Sequence, residues 1–176
     1  MKTNIALIGF MGTGKTAVAK VLAEKLSKKF IELDLLIEQT AGKSIPDIFQ
    51  QDGEIAFREL EIDVTRQVAA DNNSVIACGG GLVLNKINID RLRQSSRMVY
   101  LTASPMVILR RTSTEPGQRP LLEVDNPEQT IREMLKSRKP FYENAADITV
   151  NTSRLSIDAV AEEITNILRA DEGFNL

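Results

Sequence analysis

The sequence predicts a three-layer α/β domain, a parallel sheet with helices on both faces. Three observations carry that prediction. Five β-rich runs, residues 4–9, 29–33, 74–78, 97–101 and 147–150, alternate with segments of helical periodicity, and parallel strands need a crossover, usually a helix, to bring the chain back. The first run leads straight into Gly9-Phe-Met-Gly12-Thr-Gly14-Lys15-Thr16, a complete G-x-x-x-x-G-K-[ST] phosphate-binding loop of the kind that joins a strand to a helix. A length of 176 residues, 43% of them hydrophobic, supplies one substantial core but not two, so residues 1–176 are read as a single domain.

Taken in order, each element has its own warrant. After the loop, Val18, Val21, Leu22 and Leu26 recur at helical spacing, with Lys20, Glu24 and Lys28 expected on the opposite face. The second run, Phe30-Ile31-Glu32-Leu33-Asp34, ends in two carboxylates that would point the same way in an extended chain, ahead of a helical segment at 35–40 that Asp34 could also cap. Gly53–Glu61 opens a long helix. The third run ends in Cys78 and three glycines, Gly79–Gly81, bringing bare backbone to the carboxyl edge of the sheet, where open α/β sheets bind ligands; a turn needing positive φ is the plainer reading. Residues 112–125, with Pro116-Gly117 and Arg119-Pro120, form a connection long enough to act as a lid. The last helix should bury Ile157, Val160, Ile164, Ile167 and Leu168, leaving 171–176 as a frayed tail.

The phosphate loop defines the chemistry. Its glycines let consecutive N–H groups and the positive end of the next helix face an anion. Lys15 offers charge to the β- and γ-phosphates and Thr16 a hydroxyl to the magnesium that travels with ATP. A carboxylate that reaches that metal through water usually comes from another strand end, and among the runs only Phe30–Asp34 ends in acids, Glu32 and Asp34. Arg58 and Glu61 stand three apart on one helix face, so that Glu61 could orient the guanidinium toward a ligand carboxylate; an isolated pair of this kind is ordinarily a surface ion pair. Arg138, near Lys136 and Lys139, precedes Pro140-Phe141-Tyr142 on a helix able to fold over the pocket.

Composition excludes much else. There is no histidine, so proton transfer falls to carboxylates and lysines, and the single Cys78 allows neither an internal disulfide nor a cysteine-built zinc site. A net charge of −2 without a basic run argues against a nucleic-acid partner. No membrane-length apolar segment or signal-peptide pattern occurs, so a cytoplasmic protein with no membrane partner is expected. Asn85-Lys86-Ile87-Asn88 narrowly misses a guanine-recognition N-K-x-D and does not follow a strand, which disfavours a GTPase. The aspartate-ended strand with a neighbouring acid typical of mechanical ATPases is missing as well, which leaves a compact small-molecule kinase.

In this order, the phosphate loop, Asp34, G-E-x-x-F-R-x-x-E (Gly53–Glu61), G-G-G (Gly79–Gly81), R-P-L-L (Arg119–Leu122) and R-x-P-x-Y (Arg138–Tyr142) resemble the shikimate kinase family, from Asn4 to about Leu168. The resemblance implies a five-stranded parallel sheet related to nucleoside monophosphate kinases. It also implies ATP-dependent phosphorylation of the shikimate 3-hydroxyl, with ATP and Mg2+ as cofactors, shikimate as small-molecule partner and a monomeric enzyme of chorismate and aromatic amino-acid biosynthesis. Gly12, Thr13, Gly14, Lys15, Thr16 and Ala17 would hold the nucleotide phosphates, Arg119 would close on them from the lid, and Arg111 and Arg154 fall near the expected adenine contacts. Asp34 would hold the shikimate hydroxyls and orient or deprotonate the attacking one. Arg58, Arg138 and the Gly79–Gly81 backbone would take the carboxylate and ring between Phe49 and Phe57, with Glu61 at the same site orienting Arg58. Thr16 would ligate magnesium directly, Asp34 and Glu32 through water; the family commonly has aspartate where this chain has Glu32, and a water-mediated contact tolerates the extra methylene. Another small phosphate-loop kinase, of gluconate or nucleoside monophosphate type, and a non-catalytic nucleotide-binding regulator are the alternatives.

Overall fold

The computed structural model describes residues 1–113 and 125–176, and all five expected strands form. They are β1 (Asn4–Ile8), β2 (Lys29–Glu32), β3 (Ser74–Ala77), β4 (Ser96–Thr102) and β5 (Ile148–Asn151). All pair in parallel, in the order β2-β3-β1-β4-β5. β1 is buried along its whole length, as an apolar strand covered on both faces must be. Alternation then divides the core. Ala6, Ile8, Ile76, Met98 and Tyr100 face one way, while Ile5, Leu7, Val75, Ala77, Val99 and Leu101 face the other.

Helices α1 (Lys15–Lys25) and α8 (Ile157–Arg169) cover the second of these faces through Val18, Ala19, Leu22, Val160, Ala161, Ile164 and Leu168. The first is covered by α2 (Leu33–Ala41), α3 (Ile45–Gln51), α4 (Gly53–Ala69), α5 (Lys86–Ser95) and α7 (Pro127–Ala145). A short helix, α6 (Pro105–Thr112), packs with α7 around Phe10, Ile108 and Ile131. Parallel pairing places every strand's carboxyl end on one edge, so the turns after β1, β2, β3 and β5 converge there.

Four expectations need correction. Residue 33 begins a helix rather than ending a strand: α2 starts immediately after Glu32, and Asp34 lies in its first turn. Ile157 and Ile167 are exposed, and α8 buries Ala161 and Thr165 instead. Lys28 is buried beyond the end of α1, where its ammonium donates to the carbonyls of Thr3 (3.1 Å) and Asn175 (3.4 Å) and to Asn73 Oδ1 (2.8 Å). Residues 171–176 are docked, not frayed: Phe174 is 7% exposed, Lys2 pairs with it as a parallel bridge, and Asp171 takes a fork from Arg97 at 2.6 and 2.8 Å. One aromatic anchor and one bidentate ion pair hold the segment, and neither leaves a periodic trace in sequence.

Candidate active site

The phosphate loop has a backbone that side chains could scarcely follow. Gly9, Gly12 and Gly14 all have positive φ, at 149°, 76° and 95°, and a Cβ at Gly9 would collide with the Leu101 carbonyl oxygen. Gly14 begins α1 with no side-chain cap, leaving the helix's first N–H groups directed at the loop's concavity. Thr13, buried, donates its hydroxyl to the Phe10 carbonyl at 2.7 Å. Lys15 folds back across the loop and donates to the carbonyls of Gly9 (2.9 Å) and Phe10 (3.0 Å). Ala17 is half-buried in the first turn of α1.

Thr16 donates its hydroxyl to Glu32 Oε1 at 2.8 Å, so the last strand residue of β2 stands beside the loop's threonine. These oxygens fit a hard divalent cation. Among the described residues no group of three His, Cys, Asp or Glu side chains could hold a metal alone.

Asp34 does not cap α2; Glu32 occupies that position, without a side-chain cap bond. It points instead at the turn after β3. A Cβ on Gly79 would lie 2.6 Å from Asp34 Oδ1, and one on Gly81 would lie 2.9 and 3.0 Å from the terminal nitrogens of Arg58. Gly80 faces the phosphate loop, its Cβ position 3.5 Å from the Met11 nitrogen. None of the three has positive φ, so the turn reading is excluded: a Cβ at Gly79 or Gly81 would crowd the Asp34 carboxylate or the Arg58 guanidinium, while one at Gly80 would meet the phosphate loop in ordinary contact. Burial pushes the Asp34 carboxyl above its ordinary value; Lys15 and Arg58 pull it down, while Glu32 and Glu38 push it further up.

Arg58 is held from two sides on α4. It donates to Glu61 at 3.0 and 3.2 Å and meets Glu54 at 3.3 Å. Glu61 is only 1% exposed, so the pair is not a surface bridge; burial raises its carboxyl against the pull of Arg58. Asn88, fully buried on α5, reaches Glu61 Oε2 at 3.5 Å. Phe57 and Phe49 pack with ring centroids 4.7 Å apart, and the Arg58 guanidinium lies 5.1 Å from the Phe57 centroid. Phe49 stays 40% exposed, which leaves it as a wall at the mouth.

Arg138, half-buried on α7, lies over the Phe10 ring at 5.8 Å. One turn on, Tyr142 donates its phenol to the Gly80 carbonyl at 2.5 Å, so α7 is tied to the glycine turn. Arg111 donates to the carbonyls of Gly12 (3.1 Å) and Thr152 (2.9 Å) and to Thr152 Oγ1 (3.0 Å). Thr152, buried after β5, also stands 3.0 Å from the Thr13 carbonyl and 3.1 Å from that of Thr102. Arg111 is therefore part of a bracket behind the phosphate loop and not a loose surface charge. Arg154 is exposed, and the structure does not join it to the loop. Arg119 and most of the 112–125 connection lie outside the described residues. Sequence reasoning missed Thr152 and Tyr142: a lone threonine after a strand carries no motif, while Tyr142 ended a recognised motif without a role of its own.

The family model for shikimate kinase matches residues 11–169. A shikimate kinase of Caldanaerobacter subterraneus subsp. tengcongensis is 48% identical over 161 residues, 92% of this chain and 93% of that protein. One from Thermoanaerobacter pseudethanolicus is 47% identical over the same shares of each chain. Among solved structures, shikimate kinase from Acinetobacter baumannii in complex with shikimate superposes with a TM-score of 0.92 at 37% identity, covering 98% of this chain and 96% of that one. The chain belongs to the shikimate kinase family.

Proposed function

We propose that the pocket bounded by Asp34, Arg58, Gly79–Gly81 and Arg138 holds shikimate with its 3-hydroxyl toward the phosphate loop. As a shikimate kinase, the chain phosphorylates shikimate with ATP on the route to aromatic amino acids. The observation that carries the site reading is the glycine turn, whose backbone touches Asp34 on one side, Arg58 on another and the phosphate loop on a third. Acceptor and donor subsites thereby share one wall.

Each residue then has a task. Lys15, whose ammonium already lies on the loop carbonyls, shares the charge that accumulates on the β- and γ-phosphates during transfer. Thr16 and Glu32 would hold magnesium, Glu32 and Asp34 through water, and the bound ion would neutralise phosphate charge. Asp34 orients the attacking hydroxyl and accepts its proton as the bond to phosphorus forms. Arg58, itself fixed by Glu61 and Glu54, and Arg138 take the substrate carboxylate. Because phosphoryl transfer is loose, positioning contributes more here than deprotonation. The Arg111–Thr152 bracket steadies the loop's outer side, where the adenosine would lie. A cytoplasmic monomer acting on small molecules fits this reading; among the described residues no helix is long and apolar enough to cross a membrane.

The test is magnesium-dependent ADP release from ATP with and without shikimate. Release that rises with shikimate and yields a phosphorylated acid supports the proposal. Release indifferent to shikimate but stimulated by gluconate or a nucleoside monophosphate replaces the acceptor, and no release with any acceptor leaves a nucleotide-binding regulator.

A further inference from the structure

Tyr142 is more than core filling. Its side chain is fully buried, and its ring stacks on Tyr100, with centroids 4.9 Å apart and planes 13° from parallel. Phenylalanine would provide that stack equally well. What phenylalanine lacks is the hydroxyl, which donates to the Gly80 carbonyl at 2.5 Å. Arg138 and Tyr142 are four apart on α7, hence on one helix face. Burial pushes the phenol up to about 12, so near neutrality it always has its proton to give and takes no part in proton transfer.

We infer that Tyr142 is a positioning residue: its phenol ties the Gly79–Gly81 backbone to α7, the helix that carries Arg138, so that the glycine turn and Arg138 meet the acceptor's carboxylate in a set geometry. The inference rests on the shikimate reading given above. Without the hydroxyl, the half-buried Gly80 would lose the donor to its carbonyl, and with it the tie between the glycine turn and α7. The glycine turn could then drift relative to α7, loosening the acceptor subsite while the nucleotide subsite, braced separately by Thr152 and Arg111, stays intact.

Tyr142→Phe isolates the hydroxyl and keeps the stack on Tyr100. Its KM for shikimate should rise about tenfold, the scale of one buried hydrogen bond to a charged group, with KM for ATP within about twofold of wild type. In an Arg138→Ala background the same change should cost less, below about threefold, because the two groups act together. With two tyrosines and no tryptophan in the chain, the near-UV difference spectrum on adding shikimate gives a readout independent of turnover: it should fade in Tyr142→Phe and persist in Tyr100→Phe. An unchanged shikimate KM, a parallel rise in both KM values, an equal penalty with and without Arg138, or a difference spectrum unaltered in Tyr142→Phe overturns the assignment. A wild-type protein that does not turn over shikimate overturns the substrate reading and takes this inference with it, whereas an active wild type with an unmoved variant removes this inference alone.

Discussion

Asp34 sets function against stability. Its carboxyl is raised chiefly by burial, despite Lys15 and Arg58 nearby. An acid whose pKa rises on folding favours the folded state below the ordinary aspartate value, and that contribution is lost as pH climbs through the raised folded value. Near pH 7 the ionised group therefore burdens the fold. Asp34→Asn should melt no lower than wild type at pH 7 while kcat falls about a hundredfold or more, with shikimate affinity falling less. In the wild type, the acid limb of the kcat profile should lie above the usual aspartate range. Rescue of the variant by excess magnesium would assign Asp34 to the metal's water shell, and lack of rescue to the hydroxyl. A variant with lowered melting temperature and unchanged kcat would reduce Asp34 to a structural residue. The two arginines allow a second test. Removing Arg58 or Arg138 should leave a bound carboxylate half-paired and cost about 2–5 kcal/mol of shikimate binding. Each alanine variant should also discriminate less between shikimate and its carboxamide; discrimination as strong as in the wild type would mean that the carboxylate lies elsewhere.

Helix starts differ between the helices whose first turns face the pocket and the others. α3, α5, α6, α7 and α8 begin with Ser44, Asn85, Ser104, Asn126 and Ser156, and each side chain accepts a backbone N–H. α1, α2 and α4 begin at Gly14, Glu32 and Asp52 with no side-chain cap bond. These three carry Lys15, Asp34 and Arg58 in their first two turns, whereas Arg138 lies far from the capped start of α7. Asn85 shows the other case. It belongs to the near miss for a guanine motif, yet its Oδ1 accepts from the Ile87 nitrogen at 3.2 Å and caps α5. Asn85→Ala should lower stability by about 1 kcal/mol without altering preference for ATP over GTP, checked by denaturant melts beside nucleotide titrations; a changed preference would revive the guanine reading. The same contrast explains what was legible in sequence. Strands and the phosphate loop rest on short-range pattern, and their positions hold to within a residue or two. The displacement of Asp34 from strand end to helix start depends on where the sheet stops pairing: Glu32 is the last β2 residue opposite β3, at Ala77. The role of Gly79–Gly81 depends on two side chains brought in from α2 and α4, which no local window contains.

At the scale of the whole molecule, parallel pairing sends chemistry to one edge of the sheet and fastening to the other. Gly9, Asp34, Gly79 and Thr152 all follow strand carboxyl ends. At the amino ends lies a second assembly. Asn4 bonds the Asp71 carbonyl at 2.7 Å and the Ser74 nitrogen at 2.9 Å, the Asn175 nitrogen donates to the Lys2 carbonyl at 2.9 Å, and Lys28 lies 5.4 Å from the centroid of the Phe174 ring. The ion pair within it joins Arg97 to Asp171 across 74 positions of sequence, which is why a local reading took the last residues for loose chain. Burial of Phe174 alone should contribute about 1.5–3 kcal/mol, and its removal would also bare the ammonium of Lys28 and the apolar ends beneath α8. Truncation after Ala170 is therefore expected to lower the denaturant midpoint clearly, by at least the Phe174 share, while leaving kcat and both KM values of the still-folded fraction close to wild type, since no residue of the pocket is touched. Phe174→Ala in the full-length chain should reproduce most of the loss. Equal stability with and without the segment would mean that its contacts fail to outweigh the entropy of ordering six residues, and a selective loss of turnover at unchanged stability would mean that the two edges of the sheet are coupled through the strands between them.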